Sequence, residues 1–523
     1  MSGKVIGDIL RETASRAPER TAIIDGAVRM SYGELDRAAD RFANALLARD
    51  LGKGHAVAIL APNQADYPVF YFGAARAGCL QAHLPIRYTG DDLARVIART
   101  GIEAVFADPG LLSVLSEVRA SLPGLQTVVC VGQEKSALAA STPKNDVISL
   151  DDFLADAKGT ACPVRIDPGE AFCITYTGGT TGHPKGVLVT HAARVMSSEM
   201  AWPVFRLLED DIIFLASPLF HVAGLFSWFT TGIHGGATFA FLRQWDAGAF
   251  IEMVAREKIT AACMVPTQIN GFLSDQDFSE KKLKSLRYIN YGGSPMPDAL
   301  LDRVLDHFPD IVMFEHYGQS EIGPACYRAP ERLHDKAGSV GVPFAELQLK
   351  IVDRDGANVL QGEVGEVTVK AGYLFKEYYR DPGQTAAAFT RDGWLKTGDL
   401  GYRDEEGFLY LVDRAKDMII SGGENIYPAE IENVLFAHEA IAEAAVFGIP
   451  DDHWGEIPAA HIVLKPGAEA EASEIEDFVA SKIARHKRPR LVAFVDALPK
   501  TSIGKVRKNI LREPYWKGRD RQI

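Results

Sequence analysis

Cysteine is scarce in this chain, with six residues among 523. They stand at positions 79, 130, 162, 173, 263 and 326, without the spacing of a metal site. Cys79, Cys173 and Cys263 lie in apolar runs, so we expect buried free thiols and no disulfide framework. The N-terminus also lacks the apolar core of a signal peptide. These features predict a reducing, cytoplasmic setting.

Positive charge is also in deficit, because 56 Lys and Arg residues face 69 Asp and Glu residues, a net charge of -13. A general nucleic-acid binder normally carries a basic surface, so we expect no nucleic-acid partner. Anionic substrates remain compatible with this balance, since a local basic site can override the mean field. The hydrophobic fraction of 47% and charged fraction of 24% are typical of a globular protein.

Charge is absent altogether from residues 212–242, a stretch long enough to span a bilayer. Pro218, His221, Gly224 and the glycine pair at 235–236 interrupt it, however. We therefore predict no membrane span but a buried layer, with a strand over 212–217, a short helix over about 223–233 and a strand over 237–242.

Helix and strand patterns alternate from residue 31 to about residue 315. Ser31 stands three residues before Glu34, the spacing of a capping box, and predicts a helix over 31–50. The following segments read as a strand at 56–60, a helix at 65–77 and a strand at 80–85. This alternation predicts an α/β architecture with largely parallel sheets.

The pattern changes twice nearer the C-terminus. Short alternating strands at 347–352 and 365–369 predict an antiparallel β subdomain over 348–411. A compact α+β unit follows, with helices predicted at 428–438 and 472–485 and strands at 443–448, 458–464 and 491–495. The natural boundary between a large body and this unit lies near residue 415.

The densest chemical signal is the ten-residue stretch 177–186, which holds four glycines, three threonines and a lysine. It lies between apolar runs at 171–174 and 187–189, so we predict a tight loop between two strands. Converging backbone N–H groups, hydroxyls and the Lys185 ammonium would form a phosphate cradle. Pro184 takes the place of the second glycine of a Walker loop, so that motif is excluded. For this stretch alone, a solvated turn is the alternative.

Four further motifs follow in order, each of which is open to a reading as an ordinary turn or surface residue. Residues 291–295 place small residues after a strand, where a flat ring can approach the backbone. Residues 317–321 offer an aromatic face, a hydroxyl and a carboxylate suited to a metal-bound phosphate. Residues 394–399 place an acid after a turn, suited to a ribose diol. Residues 499–505 place a lysine in a glycine-containing loop.

Together these five motifs resemble the acyl-CoA synthetase family of adenylate-forming enzymes, from about residue 8 to residue 512. The resemblance implies an N-terminal domain over 1–413 with three subdomains (two α/β sheets and a β subdomain), and a small mobile α+β domain over 414–523. It implies that a carboxylic acid and ATP give an acyl-adenylate, with Mg²⁺ as cofactor, and that coenzyme A then displaces AMP. A homodimer is compatible with the sequence, which does not determine the oligomeric state.

The resemblance also implies roles for individual residues. The nucleotide would contact Thr177, Gly178, Gly179, Thr180, Thr181, Gly182, Lys185, Gly292, Gly293, Ser294, Tyr317, Gly318, Gln319, Ser320, Asp399 and Arg414. The metal would be attended by Thr180 and Glu321. Lys505 would bridge the carboxylate and the α-phosphate. Lys416 would be the hinge. The coenzyme A channel would include Ser421, Gly422, Gly423 and Glu424.

By the same resemblance, residues 218–224 line the acyl pocket. Amino-acid-activating relatives carry an aspartate there, whereas this chain has Phe220-His221, which disfavours an α-amino acid. His221 fits a pocket wall or gate better than a general base. An apolar, partly aromatic pocket is suggested by Trp202, Phe226, Trp228, Met264 and Thr267.

The lack of Lys and Arg over 212–242 disfavours a dicarboxylate, unless Arg243 or Arg287 reaches the pocket. The sequence therefore favours a ligase for an uncharged aliphatic or aromatic acid. Two alternatives stay open. The adenylate is passed to a carrier-protein thiol or to oxygen, or the chain is an inactive nucleotide-binding homologue.

Overall fold

A computed structural model describes residues 3–132, 147–177, 184–294, 296–500 and 506–517. The chain divides into two compact units. The first comprises Met1–Gln348 and Lys370–Phe389, and the second comprises Leu349–Val369 and Thr390–Ile523. The β subdomain groups with the C-terminal region in this division, whereas the boundary near residue 414 stays a prediction.

The strands are numbered in chain order. They are β1 Thr21–Asp25, β2 Val28–Ser31, β3 Ala56–Leu60, β4 Leu80–His83, β5 Ile102–Ala107, β6 Thr127–Cys130, β7 Val147–Ser149, β8 Ala171–Thr177, β9 Lys185–Thr190, β10 Ile212–Leu215, β11 Thr238–Phe241, β12 Ala261–Met264, β13 Tyr288–Gly292, β14 Val312–Gln319, β15 Gly323–Arg328, β16 Val342–Pro343, β17 Gln348–Val352, β18 Gly365–Lys370, β19 Glu377–Tyr378, β20 Leu395–Arg403, β21 Leu409–Arg414, β22 Ile419–Ser421, β23 Glu424–Ile426, β24 Ile441–Asp451, β25 Gly455–Leu464 and β26 Leu491–Phe494.

The α-helices of the described residues are numbered in the same way. They are α1 Ile6–Arg16, α2 Tyr32–Leu47, α3 Asp66–Ala77, α4 Gly90–Thr100, α5 Leu112–Val118, α6 Leu150–Leu154, α7 His191–Phe205, α8 Thr231–Gly235, α9 Ala247–Glu257, α10 Pro266–Leu273, α11 Asp298–His307, α12 Pro382–Ala388, α13 Pro428–Phe436, α14 Ala472–Lys482 and α15 Lys508–Trp516. The predicted capping box is confirmed, since the Ser31 hydroxyl accepts from the Glu34 N–H and the Glu34 carboxylate accepts from the Ser31 N–H.

Two large sheets form the first unit. One has nine strands in the order β16-β15-β14-β13-β12-β10-β11-β1-β2, and the other has eight in the order β19-β9-β8-β4-β3-β5-β6-β7. In the first sheet, β1 and β10 to β14 are parallel. Apolar side chains such as Phe214 of β10 and Phe250 of α9 bury its face against helices, with ring centroids 4.7 Å apart. The predicted α/β class is confirmed.

The second unit holds two smaller sheets. The order β17-β18-β20-β21 forms the predicted antiparallel subdomain, and β23-β22-β25-β24 forms the C-terminal sheet, with β26 paired to β25. Its core contains Ile431 of α13, Val446 of β24 and Ile475 of α14. The predicted helices and strands of this region are all present within a few residues of their expected bounds.

The uncharged stretch 212–242 folds as β10, a π-helix over Ala223–Thr230, α8 and β11. The predicted strands are confirmed, but the helix differs in kind. The Thr230 hydroxyl donates to the carbonyl of Leu225 at 2.6 Å, and the Thr231 hydroxyl donates to that of Phe226 at 3.2 Å. Both hydroxyls thus bond to the carbonyl five residues earlier, the same spacing that backbone N–H groups use in a π-helix. None of the described helices has the length and apolar character that a membrane crossing requires.

Candidate active site

The predicted phosphate loop joins the antiparallel strands β8 and β9, whose last and first residues, Thr177 and Lys185, are cross-strand partners. The strand–loop–strand prediction is therefore confirmed at both ends. Gly178, Gly179, Thr180, Thr181 and Gly182 lie outside the described residues, so their predicted contacts with phosphate stay predictions.

Tyr378 joins this hairpin to the predicted metal-binding acid. Tyr378 belongs to β19, which pairs with β9. The Lys185 ammonium lies 5.0 Å from the centroid of the Tyr378 ring, and the Tyr378 hydroxyl donates to Glu321 Oε1 at 2.7 Å. Lys185 and Glu321, which lie far apart in the sequence, thus both contact Tyr378, one at its ring and the other at its hydroxyl. The sequence motifs did not predict Tyr378; the only signal was the aromatic-rich run 373–379.

The predicted adenine residues lie at the carboxyl ends of neighbouring parallel strands. Gly292 ends β13 and is the cross-strand partner of His316 in β14, directly before Tyr317. A Cβ on Gly292 would lie 2.3 Å from the His316 carbonyl oxygen, so only glycine fits there. Gly293 has a φ of +83°. Because carboxyl ends of parallel strands meet at one edge, two motifs distant in sequence share one surface.

Tyr317 and Gly318 lie within β14, and Ser320 and Glu321 form the turn to β15. Tyr317 is 9% exposed and accepts a hydrogen bond from the Gln319 side-chain amide at 3.2 Å. Ser294 is exposed after the glycine pair. A flat, nearly buried phenol next to open glycine backbone is an arrangement on which a base can stack.

Uncharged side chains next to Tyr317 and Gly292 form a hydrogen-bond network that fixes the ends of β13 and β14. His316 Nδ1 and Asn290 Oδ1 are 2.8 Å apart, and the Asn290 amide donates to the Tyr288 hydroxyl at 3.2 Å. Burial lowers the pKa of His316 to about 4, so its imidazole is uncharged at neutral pH. The network therefore orders β13 and β14 without placing another charge beside the predicted nucleotide site.

In the second unit, Asp399 and Arg414 are cross-strand partners in β20 and β21. Arg414 Nε lies 2.8 Å from Asp399 Oδ1. Asp399 is 4% exposed and lies inside β20 rather than directly after the turn at 390–394. Two residues predicted to contact the nucleotide are thus adjacent.

The predicted hinge lies in the short connection between β21 and β22. The Lys416 carbonyl accepts from Arg512 Nη1 at 3.2 Å, and Arg512 Nη2 lies 3.0 Å from Asp417 Oδ1. Arg512 belongs to α15, which begins shortly after the segment that carries Lys505. Lys505 itself lies outside the described residues, so its role stays a prediction.

The predicted coenzyme A loop is the two-residue turn of the hairpin β22–β23. Gly422 and Gly423 have φ values of +61° and +86°, the pattern of a type I′ turn. Ser421 pairs with Glu424 across the turn. The Gly422 N–H donates to the Trp454 carbonyl at 2.8 Å. The family resemblance named these glycines, whereas no sequence feature pointed to Trp454.

The predicted acyl segment contains the π-helix. His221 precedes it, is partly buried, and accepts from the Ala223 N–H through Nδ1 at 3.3 Å. That bond occupies the lone pair of Nδ1, which suits a wall or gate better than a base. Phe226 and Trp228 are each 1% exposed. A π-helix, rare in proteins and common at functional sites, is the feature that sequence patterns missed here.

The other residues expected in the acyl pocket have varied surroundings. Met264 is fully buried in the core of the first sheet, and Thr267 is exposed. The Trp202 ring lies against Gly235 of α8, where a Cβ would come within 2.2 Å of it. Trp202 therefore serves helix packing.

Arg243 and Arg287 are each paired with a carboxylate of the chain. Arg243 pairs with Asp108 and donates to Gln64 Oε1 at 2.9 Å. Arg287 pairs with Asp211, and both precede parallel strands. Arg287 is thus about 16 Å from the carboxyl edge of β13, at a rise of about 3.3 Å per residue. The suggestion that Arg287 reaches the pocket is wrong, because it lies at the opposite edge of the sheet.

The donor set fits a magnesium ion bound mainly through phosphate. Among the described residues, no group of three or more His, Cys, Asp or Glu side chains could form a protein cage for a metal. Glu321 offers one carboxylate, of which only Oε1 takes the Tyr378 hydroxyl in the contact above. Mg²⁺ is usually held by one or two carboxylates together with substrate phosphates and water.

Comparison with known proteins identifies the family of the chain. The model of the AMP-binding enzyme family matches residues 10–379, and that of the AMP-binding enzyme C-terminal domain matches residues 430–505. Indoleacetate–CoA ligase of Aromatoleum aromaticum is 35% identical over 505 residues, covering 96% of this chain and 95% of its own. The long-chain-fatty-acid–CoA ligase FadD13 of Mycobacterium tuberculosis is 34% identical over 517 residues, covering 98% and 99%.

Similarity extends to solved structures. ATP-bound MatB from Rhodopseudomonas palustris has a TM-score of 0.87 at 28% identity, covering 97% of this chain and 99% of its own. The fold, the order of the motifs and the relatives agree. The chain belongs to the AMP-binding enzyme family and is an AMP-forming acid–thiol ligase.

Proposed function

We propose that the chain is an ATP-dependent acid:coenzyme A ligase, which forms an acyl-adenylate and then an acyl-CoA thioester. The observation that carries the proposal is the convergence of Lys185 and Glu321 on Tyr378. A loop of the phosphate-binding type and a metal-binding acid are needed at one place if the β- and γ-phosphates are to leave as pyrophosphate.

In the first half-reaction, a carboxylate attacks a phosphate, and the two anions repel each other. Lys505 would lie between them and lower that repulsion. Glu321 and Thr180 would hold Mg²⁺, which supplies charge neutralisation on the phosphates when bound. Gly292, Gly293 and Tyr317 would hold the adenine, while Asp399 and Arg414 would bind the ribose and its phosphate.

In the second half-reaction, the thiol of coenzyme A must reach the acyl carbon. Rotation of residues 414–523 about Lys416 would remove Lys505 and present the turn at 421–424 to the pantetheine arm. The turn suits such a role because a Cβ added at Gly423 would have no heavy atom of the described residues within 4 Å, so the backbone there is open to a ligand. The two-domain division with a hinge at Lys416 is part of this proposal.

Apart from its reacting carboxylate, the acid is proposed to carry no charge, and its body is either aromatic or aliphatic. Support comes from the apolar rings of Phe226 and Trp228 in the π-helix that follows His221, and from the carboxylates that pair with Arg243 and Arg287. Similarity to ligases named for indoleacetate and for long-chain fatty acids favours the same class. A cytoplasmic setting belongs to the proposal, supported by six free cysteines, five of them buried.

A panel of acids tests the proposal. Pyrophosphate release and thioester formation would be measured with an arylacetate, a long-chain fatty acid, a dicarboxylate and an α-amino acid, each with and without coenzyme A. We expect thioester from one of the first two. Thioester from the dicarboxylate alone would refute the uncharged pocket. Pyrophosphate without thioester would favour a carrier-protein thiol, and no pyrophosphate with any acid would favour an inactive nucleotide binder.

A further inference from the structure

Arg194 is a cation buried inside the first unit, at 0% exposure on α7. Among the described residues, no carboxylate forms an ion pair with it. Its guanidinium carbon lies 4.8 Å from the centroid of the Phe226 ring in the π-helix. Burial lowers its pKa to about 10, so it remains charged at neutral pH. Burying a charge without a counter-ion is costly unless its donors are satisfied.

Two of those donors hold the turn that carries Glu321. Arg194 Nη2 donates to the Ser320 carbonyl and Nη1 donates to the Ile322 carbonyl, each at 3.1 Å. The Phe375 N–H donates to the carbonyl of Glu321 itself at 2.7 Å. All three successive carbonyls of the turn are therefore held, and the Tyr378 hydroxyl holds the side chain.

The turn is also shaped to admit the guanidinium. Gly323, the first residue of β15, has a φ of +92°, and a Cβ there would lie 2.6 Å from Arg194 Nη1. Glycine at this position satisfies the left-handed backbone and leaves room for the arginine. The sequence gives no local sign of this arrangement, because Arg194 reads as an ordinary helical residue.

We propose that Arg194 is a positioning residue, which fixes the Glu321 carboxylate for the metal-bound phosphates of ATP. The inference rests on the metal role of Glu321 in the proposed function. A planar fork with fixed donor geometry can hold two carbonyls at once, whereas a lysine ammonium is a single point charge. Partners that orient a metal-binding group from behind typically change metal affinity by about 10- to 100-fold when they are removed.

The test is the gain in ATP affinity that Mg²⁺ provides, measured by calorimetry with Mg²⁺ and with EDTA, in the absence of any acid or coenzyme A. We expect Arg194→Met to reduce this gain by about 10- to 100-fold and to leave the affinity for metal-free ATP unchanged. Arg194→Lys should show an intermediate loss, because the charge returns without the fork.

Arg76→Met is the matched control. Arg76 is also buried in the first unit, and it donates to the carbonyls of Asp36 at 2.8 Å and Gly7 at 3.2 Å, away from the Glu321 turn. Unlike Arg194, it is also paired with the carboxylates of Asp36 and Asp40. It should lower thermal stability and keep the full Mg²⁺ gain. If Arg76→Met lost as much of the Mg²⁺-dependent increase in ATP affinity as Arg194→Met, Arg194 would act only as a general stabiliser, and the inference would be overturned.

The remaining outcomes are also decisive. The inference would be overturned if Mg²⁺ raised the ATP affinity of Arg194→Met as much as it raises that of the wild type. If the methionine variant does not fold, the same result in Arg194→Lys would overturn it. So would a wild-type protein whose ATP affinity does not respond to Mg²⁺. Because no acid is present, a protein that shows the expected pattern but activates no acid would retain the positioning role and lose the proposed ligase function.

Discussion

The two units hold their predicted site residues by different kinds of contact. Around Glu321 in the first unit, the bonds are a phenol to a carboxylate, a backbone N–H to a carbonyl, and Arg194 to two carbonyls. In the second unit, the two residues predicted to contact the nucleotide, Asp399 and Arg414, form an ion pair whose Arg414 side chain is 46% exposed.

This difference fits the two tasks that the proposed function assigns. Multiple directional bonds to backbone groups define one geometry, which suits phosphates that must be held in line. An ion pair with an exposed partner can exchange that partner at little cost, because exposed pairs contribute only about 0–1 kcal/mol. The Asp399–Arg414 pair is thus suited to a contact that forms and breaks during a reaction cycle, whereas the Arg512–Asp417 and Lys508–Glu432 pairs, with side chains at most 16% exposed, are expected to be structural.

The largest effect is expected for Lys505→Ala. Loss of the cation between two reacting anions should slow adenylate formation by at least about 100-fold, measured as pyrophosphate exchange. Thioester formation from supplied acyl-adenylate should be largely retained. Lys500→Ala is the control, since this lysine in the same motif is occupied by Glu443 at 2.7 Å. Equal loss in both half-reactions would refute the assigned role.

Lys508→Met tests whether one ion pair of the second unit is structural rather than exchangeable. Lys508 Nζ lies 2.8 Å from Glu432 Oε1, both side chains are only 16% exposed, and burial raises the pKa of Glu432. Removing one partner of a buried pair costs about 3–5 kcal/mol, which denaturant unfolding would measure. Lys500→Met, which opens an exposed pair, should cost no more than about 1 kcal/mol. Similar losses would show that burial does not separate the two pairs.

Tyr378→Phe tests the rigid side of the comparison. It removes the hydroxyl that the Glu321 carboxylate accepts and keeps the ring beneath Lys185. We expect kcat/KM for MgATP to fall about tenfold or more, since hydrogen bonds to charged groups contribute about 1.5–3 kcal/mol. Tyr379→Phe is the control, because that hydroxyl donates only a long bond of 3.4 Å to the Thr100 carbonyl. An equal fall in kcat/KM in both variants would show that the Tyr378 hydroxyl has no specific role in the site.

Sequence reasoning succeeded for the local backbone of short segments. Small residues were expected directly after a strand at 291–295, and β13 does end at Gly292. The glycines at 422–423 were named by the family resemblance, and they form a tight turn. Sequence reasoning failed where one residue acts on a distant part of the chain. Tyr378 reaches Glu321, and Arg194 reaches Ser320 and Ile322, only after β19 and α7 have packed in the first unit. No local periodicity records such contacts.

The smallest effect separates the two glycines of the β22–β23 turn. Both have positive φ, so an alanine at either position strains the backbone by about 1 kcal/mol. Only at Gly422 would the new Cβ also meet a ring, 2.7 Å from Trp454, whereas a Cβ at Gly423 would meet no atom of the described residues. We therefore expect Gly422→Ala to raise the KM for coenzyme A severalfold by displacing Trp454, with pyrophosphate exchange unchanged. Gly423→Ala should fold as well as Gly422→Ala, and any rise in its KM would come from crowding the ligand directly. If pyrophosphate exchange in Gly422→Ala fell by as large a factor as the KM for coenzyme A rose, the turn would also serve the first half-reaction. The division between fixed and exchangeable contacts would then fail at this loop.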